Sequence, residues 1–224
     1  MATKSKSSMN ERAALGFRSH SGWSAVVAVR GWPGEPVVLE RRRIETADPA
    51  IAGSKQPYHA GERLRVERAE ALIRQCRESS TRLAQRAVSD LVAELKQDGL
   101  SVVGAGILLA SGRPLPDLAA TLQSHALIHT AEGEFFREVL VSASEHCSLQ
   151  VTKVKEREVW DRATRMFRLP SAGLQERIEQ LGKSLGPPWR QDEKLASLAA
   201  WIALAEAGKY ALINEDRSDE NSEK

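Results

Sequence analysis

The densest group of chemically capable side chains lies in one short segment, SHALIHTAEGEFFRE. His125 and His129 are four residues apart, so on a helix they project from one face about one turn apart. Glu132 follows on the same face, whereas Glu134 points elsewhere. Two imidazoles and a carboxylate can bind zinc or a similar divalent ion. The sequence therefore predicts His125, His129 and Glu132 as metal ligands.

This segment is also open to two other interpretations. It is not the His-Glu-x-x-His motif of metalloproteases, because Ala126 occupies the glutamate position. Helical histidine pairs outside such motifs commonly serve packing or hydrogen bonding. Alternatively, His125, Glu132 and Glu134 are catalytic groups at the C-terminal edge of the sheet, where open α/β sheets bind ligands. The remaining histidines occur singly: His20, His59 and His146.

Further candidate residues lie far apart in the chain. GFRSHSGW places Arg18 and His20 just before the apolar run SAVVAV. SGRPLP places Arg113 directly after an apolar strand, where a guanidinium can bind phosphate or carboxylate through two hydrogen bonds; a solvated turn arginine is the alternative. We predict Arg18, His20 and Arg113 as ligand-binding residues.

A candidate catalytic carboxylate comes near the end of the chain. Asp192 lies in the first turn of the apolar helix WRQDEKLASLAAWIAL. The helix dipole favours acidic residues at that place in any case, so a purely structural role in the helix terminus stays open.

The elements that must position these residues begin with β structure. ALGFRSHSGWSAVVAVRG predicts one strand, GWPGEP a turn and VVLERRRIE a second strand, which together indicate an antiparallel hairpin. TADPAIAGSKQPYHAGE has no clear period and predicts either a short edge strand or a long loop.

The second part of the chain alternates helices and strands. Apolar residues spaced three or four apart predict a long helix over residues 63–97, and SVVGAGILLA predicts a central parallel strand. A helix to about Glu145, the strand SLQVTKVKE and helices around residues 156–167, 171–183 and 190–207 follow. The fold class predicted is α/β, with a mixed sheet in which an N-terminal antiparallel hairpin precedes alternating helices and parallel strands.

This element order resembles the ribonuclease-H-like superfamily over about residues 15–207. The superfamily includes Holliday-junction resolvases and predicted nucleases whose first strand opens with Gly-hydrophobic-Asp and a nearby Gly-Trp. The corresponding residues here are Gly16-Phe17-Arg18 and Gly22-Trp23. The resemblance implies two-metal phosphodiester cleavage by carboxylates from the first strand, a central element and the last helix. Asp192 matches the last of these, but Arg18 stands at the first position and cannot bind a cation.

Composition bounds the remaining possibilities. The chain has 224 residues, two cysteines and a net charge of +2, which is too small to indicate a nucleic-acid partner by itself. We predict a single domain over residues 14–210 between a disordered segment 1–13 and a disordered tail 211–224. No apolar stretch is long enough for a membrane span and the N-terminus lacks a signal-peptide pattern, so a cytoplasmic protein without membrane contact is expected.

The hypothesis that these observations favour is a ribonuclease-H-like pseudo-nuclease with a degraded or rebuilt metal site. It would bind nucleic acid, a nucleotide or another phosphate-bearing ligand at the C-terminal edge of the sheet. One alternative is an interaction or scaffold protein whose 63–97 helix packs against a protein partner or a second copy. Another is a hydrolase using His125, His129 and Glu132 on one divalent metal ion, the only cofactor these residues suggest.

Overall fold

The computed structural model describes residues 11–31, 35–110 and 114–220, with side chains described as far as Gly208. Arg113 lies outside the described residues, and its predicted role stays a prediction. The five strands are β1 (Glu11–His20), β2 (Trp23–Arg30), β3 (Val37–Glu45), β4 (Leu100–Leu109) and β5 (Gln150–Lys155). The helices are α1 (Pro57–Gly61), α2 (Val66–Gln97), α3 (Leu118–Leu122), α4 (His125–His146), α5 (Val159–Phe167), α6 (Ser171–Lys183) and α7 (Gln191–Glu220), with a short 3-10 helix at Glu156–Glu158.

The strands form one mixed sheet in the order β3-β2-β1-β4-β5. β1, β2 and β3 pair antiparallel, whereas β4 pairs parallel with β1, and β5 pairs parallel with β4. The predicted α/β class and mixed sheet are therefore confirmed, and the element order behind the resemblance is present. β1, β3, β4 and β5 all run the same way, so their carboxyl ends meet at one edge.

Helices cover both faces of this sheet, because its strands are apolar on both sides. One core contains Leu15 and Phe17 of β1 together with the apolar residues of α2 and α4. The other contains Ala14 of β1 with α5, α6 and α7. The apolar face of α2 is thus buried in the core of the chain.

Glycines set how closely α7 approaches the sheet. A Cβ added at Gly16 of β1 would collide with the carbonyl oxygen of Ala196, and one added at Gly106 of β4 would collide with that of Ala199. The helix backbone therefore lies directly on the two central strands. This contact fixes the height of the first turn of α7 relative to the end of β1.

Several predicted boundaries differ from the structure. The segment predicted as one strand, residues 14–31, is two strands, because Gly22 adopts a φ of +82° and reverses the chain between β1 and β2. β1 begins at Glu11, inside the segment predicted as disordered, because Ala13 pairs with Arg30 and Val102 and is fully buried. α7 continues to Glu220, beyond the helix end predicted at residue 207, since the residues after Gly208 include neither proline nor a second glycine, and polar residues are compatible with a helix.

The stretch after β3 holds turns and α1 instead of the short edge strand. Pro57 favours the first turn of a helix, where its missing N–H costs nothing. Within the described residues, none of the helices combines the length and apolar character needed to cross a bilayer.

Candidate functional site

Arg18 is positioned at the carboxyl end of β1 by the packing of α7. Gly16 lies beneath Ala196, and Asp192 is one helical turn before Ala196 on the same side of α7. Arg18 is two residues beyond Gly16 on the same face of β1. One helical turn and two strand residues span similar lengths, so Arg18 and Asp192 meet.

The Arg18 guanidinium bridges two carboxylates from different elements. Its Nη1 donates to Oδ1 of Asp192, while Nη2 and Nε donate to the two oxygens of Glu156 at 2.9 and 3.3 Å. Glu156 follows β5 directly and so reaches the same edge. Both Arg18 and Asp192 are mostly buried, with side-chain exposures of 21% and 24%. This is a two-pronged ion pair with little freedom to rearrange.

His20 completes this group, which we name the arginine cluster: Arg18, His20, Glu156 and Asp192. His20 Nε2 lies 2.9 Å from the same Oδ1 of Asp192 that Arg18 contacts. Its ring stacks on Trp23 at a centroid separation of 4.2 Å, which fixes its orientation. Both predicted ligand-binding residues of β1 are therefore bonded to a carboxylate of the chain itself.

Electrostatics keep the arginine cluster charged. Partial burial acts to raise the pKa of Asp192, but hydrogen bonds from Arg18 and His20 outweigh it, and the pKa lies below its usual value. Partial burial likewise opposes the charge on Arg18, but hydrogen bonds to Glu156 and Asp192 raise the pKa of the guanidinium. Asp192 is thus held as a carboxylate by the Arg18 guanidinium and by its hydrogen bond with His20.

These residues do not fit a pair of divalent metal ions. A two-metal site needs several free carboxylate oxygens around each ion. Here both oxygens of Glu156 and Oδ1 of Asp192 already accept hydrogen bonds, and the guanidinium itself lies between the two carboxylates. No catalytic step through metal ions is therefore derived for this cluster.

A surface pocket of about 450 Å³ opens beside the arginine cluster. Trp160 and the apolar residues at the end of β4 form much of its wall, while Glu156 and the exposed Arg157 contribute charge. The complete lining is Leu109, Ala110, Glu156, Arg157, Trp160, Gln191 and Leu195.

Glu134 reaches the same edge from the opposite face of the sheet. Its carboxylate pairs with Arg137 at 3.5 Å, and Arg137 Nε donates to the carbonyl of Leu108 near the end of β4. Burial lowers the pKa of Arg137, while Glu134 and Glu156 oppose that effect. The electrostatic influence of Glu156 on Arg137 links this pair to the arginine cluster.

His125 and His129 lie farther out on α4 and meet a third histidine. His59 of α1 contacts both, with ring centroids 5.5 Å from His125 and 4.8 Å from His129. His125 Nε2 and His129 Nε2 are 3.0 Å apart. His125 and His129 are exposed and His59 is half-buried, so the group faces solvent.

Glu132 lies behind these rings and completes the histidine cluster: His59, His125, His129 and Glu132. Its Oε1 accepts from the backbone N–H groups of Tyr58 and His59 at 2.8 and 3.0 Å, and from His59 Nδ1 at 3.2 Å. Glu132 thereby caps the first turn of α1, which has no side-chain cap of its own. Burial raises the pKa of Glu132, and the hydrogen bonds from His59 and Tyr58 oppose that rise.

The structure therefore divides the predicted site residues between two groups. Arg18, His20 and Asp192 come together on the α7 face, and Glu134 reaches the same edge from α4. His125, His129 and Glu132 come together around α1 on the other face. Arg18 and His125, both of which the sequence places at the carboxyl edge of the sheet, therefore belong to different groups of contacts.

Sequence reasoning missed Glu156 and His59. Glu156 immediately follows β5, and acidic residues directly after strands at the carboxyl edge were the signal available. His59 lies in the aperiodic stretch, and only its contact with α4 links it to His125 and His129.

Comparison with known proteins adds little to this description. No family model matches the chain. No curated protein matches it in sequence. Among solved structures it is similar to T. thermophilus RuvC in complex with Holliday junction substrate, with 8% identity over 85% of this chain and 90% of the other, at a TM-score of 0.49. It is also similar to a Thermus thermophilus RuvC structure, with 10% identity over 84% and 91% and a TM-score of 0.41. Likeness at these scores carries no argument about shared residues or activity.

Proposed function

We propose that this chain is a ribonuclease-H-like protein without two-metal nuclease activity that binds nucleic acid at the carboxyl edge of its sheet. The observation that carries the proposal is the Arg18 guanidinium between Asp192 and Glu156. A permanent cation there supplies the charge balance that metal ions supply in a two-metal nuclease.

The loss of metal chemistry follows from this charge balance. Bringing a divalent ion between the two carboxylates would require Arg18 to leave a mostly buried position. The displaced guanidinium would lose its hydrogen bonds to Glu156 and Asp192 and then repel the incoming ion. The ion pairs of the cluster thus stabilise the fold at the place where a nuclease would carry out cleavage.

The adjacent pocket supplies the binding surface in this proposal. Trp160 is half-buried and offers an aromatic wall for a nucleobase, and Arg157 is 70% exposed beside it. Two further residues add positive charge. Lys155 is close to Arg157 in the chain, and Arg190 directly precedes α7. The ion pairs of Lys155 and Arg157 with Glu158 are exposed, so exchanging them for a phosphate contact costs little.

The binding test is a titration of labelled duplex and single-stranded DNA across a salt series. Three phosphate contacts, from Lys155, Arg157 and Arg190, predict a slope of log K against log salt of about −3 on duplex, and Arg157→Ala flattens it by about one unit. Arg65→Ala is the control, because Arg65 is 85% exposed at the start of α2. Absence of binding at low salt, or equal effects of the two variants, would contradict the proposal.

The catalytic part is tested separately. Branched and RNA–DNA hybrid substrates are incubated with Mg²⁺ or Mn²⁺, and we expect no cleavage. Metal-dependent cleavage that Asp192→Asn abolishes would show that the carboxylates bind metal ions after all.

A further inference from the structure

The histidine cluster is independent of the proposed nucleic-acid surface. Its rings lie on α1 and the start of α4, whereas Arg137 of the same helix contacts the end of β4. His125 is twelve residues before Arg137, which is about 18 Å along the helix axis at 1.5 Å per residue. Binding at one site therefore does not require binding at the other.

We propose that His59, His125 and His129 form a binding site for a divalent transition-metal ion of the Zn²⁺ type, with Glu132 as the carboxylate that positions His59. Each ring offers one nitrogen, and the three nitrogens lie within 4.8 Å of one another. Imidazole nitrogens are preferred ligands of Zn²⁺, and three of them leave a fourth position for water or another ligand.

The spacing of the rings is close to what the ion requires. At a Zn–N distance of 2.0–2.1 Å, tetrahedral geometry places two ligand nitrogens about 3.3 Å apart. His125 Nε2 and His129 Nε2 are 3.0 Å apart in a hydrogen bond, so the donor ring must carry its proton on Nδ1 instead before both Nε2 atoms can bind an ion. The separation from the His59 nitrogen must shorten by at most about 1.5 Å, and rotation of the exposed His125 and His129 side chains toward His59 permits this.

Glu132 supplies a second observation that indicates a metal. Its carboxylate contacts His59 Nδ1 at 3.2 Å, and a carboxylate partner fixes the tautomer with a proton on Nδ1 and a lone pair on Nε2. Metal-binding histidines commonly have such a carboxylate partner. Glu132 Oε2 is buried without a hydrogen-bond partner among the described residues, so this carboxylate is held in place at a cost.

This ligand set differs from the set predicted from the sequence. Glu132 was expected as the third ligand, but the groups that converge within 4.8 Å are His59, His125 and His129, and Glu132 Oε1 accepts from Tyr58 and His59. His59 takes its place among the ligands, and Glu132 acts through His59.

The cluster is hard to explain by packing alone. Two of the three rings are exposed, so burial of apolar surface gives little reason for the rings to converge. A bound cation gives one, because every ring then contributes a lone pair to it.

The test measures Zn²⁺ binding to the tag-free full chain by competition with a chromophoric chelator, with stoichiometry from metal analysis after dialysis. We expect one Zn²⁺ per chain, and we expect His125→Ala and His129→Ala each to abolish stoichiometric binding. Both side chains are exposed, so these variants retain the fold. His146→Ala, an exposed histidine in the last turn of the same helix, is the matched control and should bind normally.

A second variant tests the positioning role of Glu132. Glu132→Gln should keep one Zn²⁺ per chain but weaken it about 10–100-fold, which is the usual cost of losing such a partner. A Co²⁺-loaded sample should show the visible absorption of a nitrogen-ligated tetrahedral ion, and that spectrum should vanish in His129→Ala. The proposal is overturned if the wild type takes up no Zn²⁺ at micromolar concentration, or if His146→Ala loses as much binding as His129→Ala.

Discussion

The arginine cluster and the histidine cluster lie on opposite faces of one sheet and differ in whether the chain itself supplies a cation to their ligand groups. In the arginine cluster, two carboxylates are paired with a permanent cation that belongs to the chain. In the histidine cluster, three imidazoles converge without a cation from the part of the chain that the structure describes, and the nearby carboxylate faces only one of them. Acidic and basic residues near each other therefore do not by themselves make a metal site. A metal site also requires lone pairs that remain available on the carboxylate oxygens or imidazole nitrogens.

The two clusters also differ in how firmly they are held. Arg18 and Asp192 sit on β1 and α7, whose backbones touch at Gly16. His59 sits on a five-residue helix that depends on Glu132 of α4 for its first turn. We expect the arginine cluster to be rigid and the histidine cluster to adjust its rings around a ligand.

The largest effect is expected from Gly16→Ala, a variant that should disturb the arginine cluster and leave the histidine cluster intact. The new Cβ would collide with the backbone of α7 at Ala196, so the helix must shift and carry Asp192 away from Arg18. Overpacking against a backbone predicts destabilisation by about 3 kcal/mol in urea unfolding. Zn²⁺ binding by the histidine cluster should be unchanged in the folded variant.

Gly173→Ala provides the matched control. A Cβ at Gly173 meets only Pro170 side-chain atoms at 3.6 Å, which is an ordinary contact. Because alanine favours helices, this variant should be neutral or stabilised by up to about 1 kcal/mol. Equal destabilisation of both variants would contradict the close packing of α7 on β1.

Arg18→Ala should have the next largest effect, because it leaves two facing carboxylates without their shared cation. Breaking a fully buried ion pair costs about 3–5 kcal/mol, and the partial exposure of this pair reduces the expected loss to about 2 kcal/mol. Urea unfolding at pH 7 measures it. Arg65→Ala, at an exposed pair, should change the free energy of unfolding by less than about 0.5 kcal/mol. If Arg18→Ala lowered the free energy of unfolding by less than about 0.5 kcal/mol, the ion pairs of the cluster would not stabilise the fold.

The sheet could be predicted largely from the sequence, because β2 and β4 are mostly apolar runs bounded by Gly22, Gly31 and Gly99. The split between β1 and β2 was missed, since Ser21-Gly22 is a turn of only two residues inside a run that is otherwise typical of a strand. The pairing of β1 with β4 depends on contacts across about 90 residues, which local periodicity does not encode.

The candidate sites were predictable only where their residues share one element. His125 and His129 are detected because helical spacing places them on one face. His59 and Glu156 come from other elements, and only the tertiary fold brings them to His125 and Arg18. That a guanidinium cannot bind a metal ion is clear from the residue type alone, but nothing in the sequence indicates which carboxylates Arg18 contacts.

The smallest effect is a pH dependence in the arginine cluster. Asp192 has a lowered pKa in the folded chain, so its charged contacts add stability above its ordinary pKa of about 4, and this contribution is lost as the pH falls through the lowered value. Asp192→Asn cannot titrate. The unfolding free energy of the wild type should exceed that of Asp192→Asn by about 1 kcal/mol at pH 6–7, and this difference should shrink toward pH 3. A difference that is the same at both pH values would contradict the ion pair.

The most direct test of the central claim is whether the arginine cluster binds Mn²⁺. Mn²⁺ is titrated into the His125→Ala/His129→Ala protein and followed by electron paramagnetic resonance. The double substitution removes the histidine cluster as a competing site. The account predicts that this protein leaves Mn²⁺ free, and that adding Arg18→Asp creates binding, because three carboxylates then face one another without a cation. Mn²⁺ bound by the protein that retains Arg18, and released by Asp192→Asn, would contradict the account.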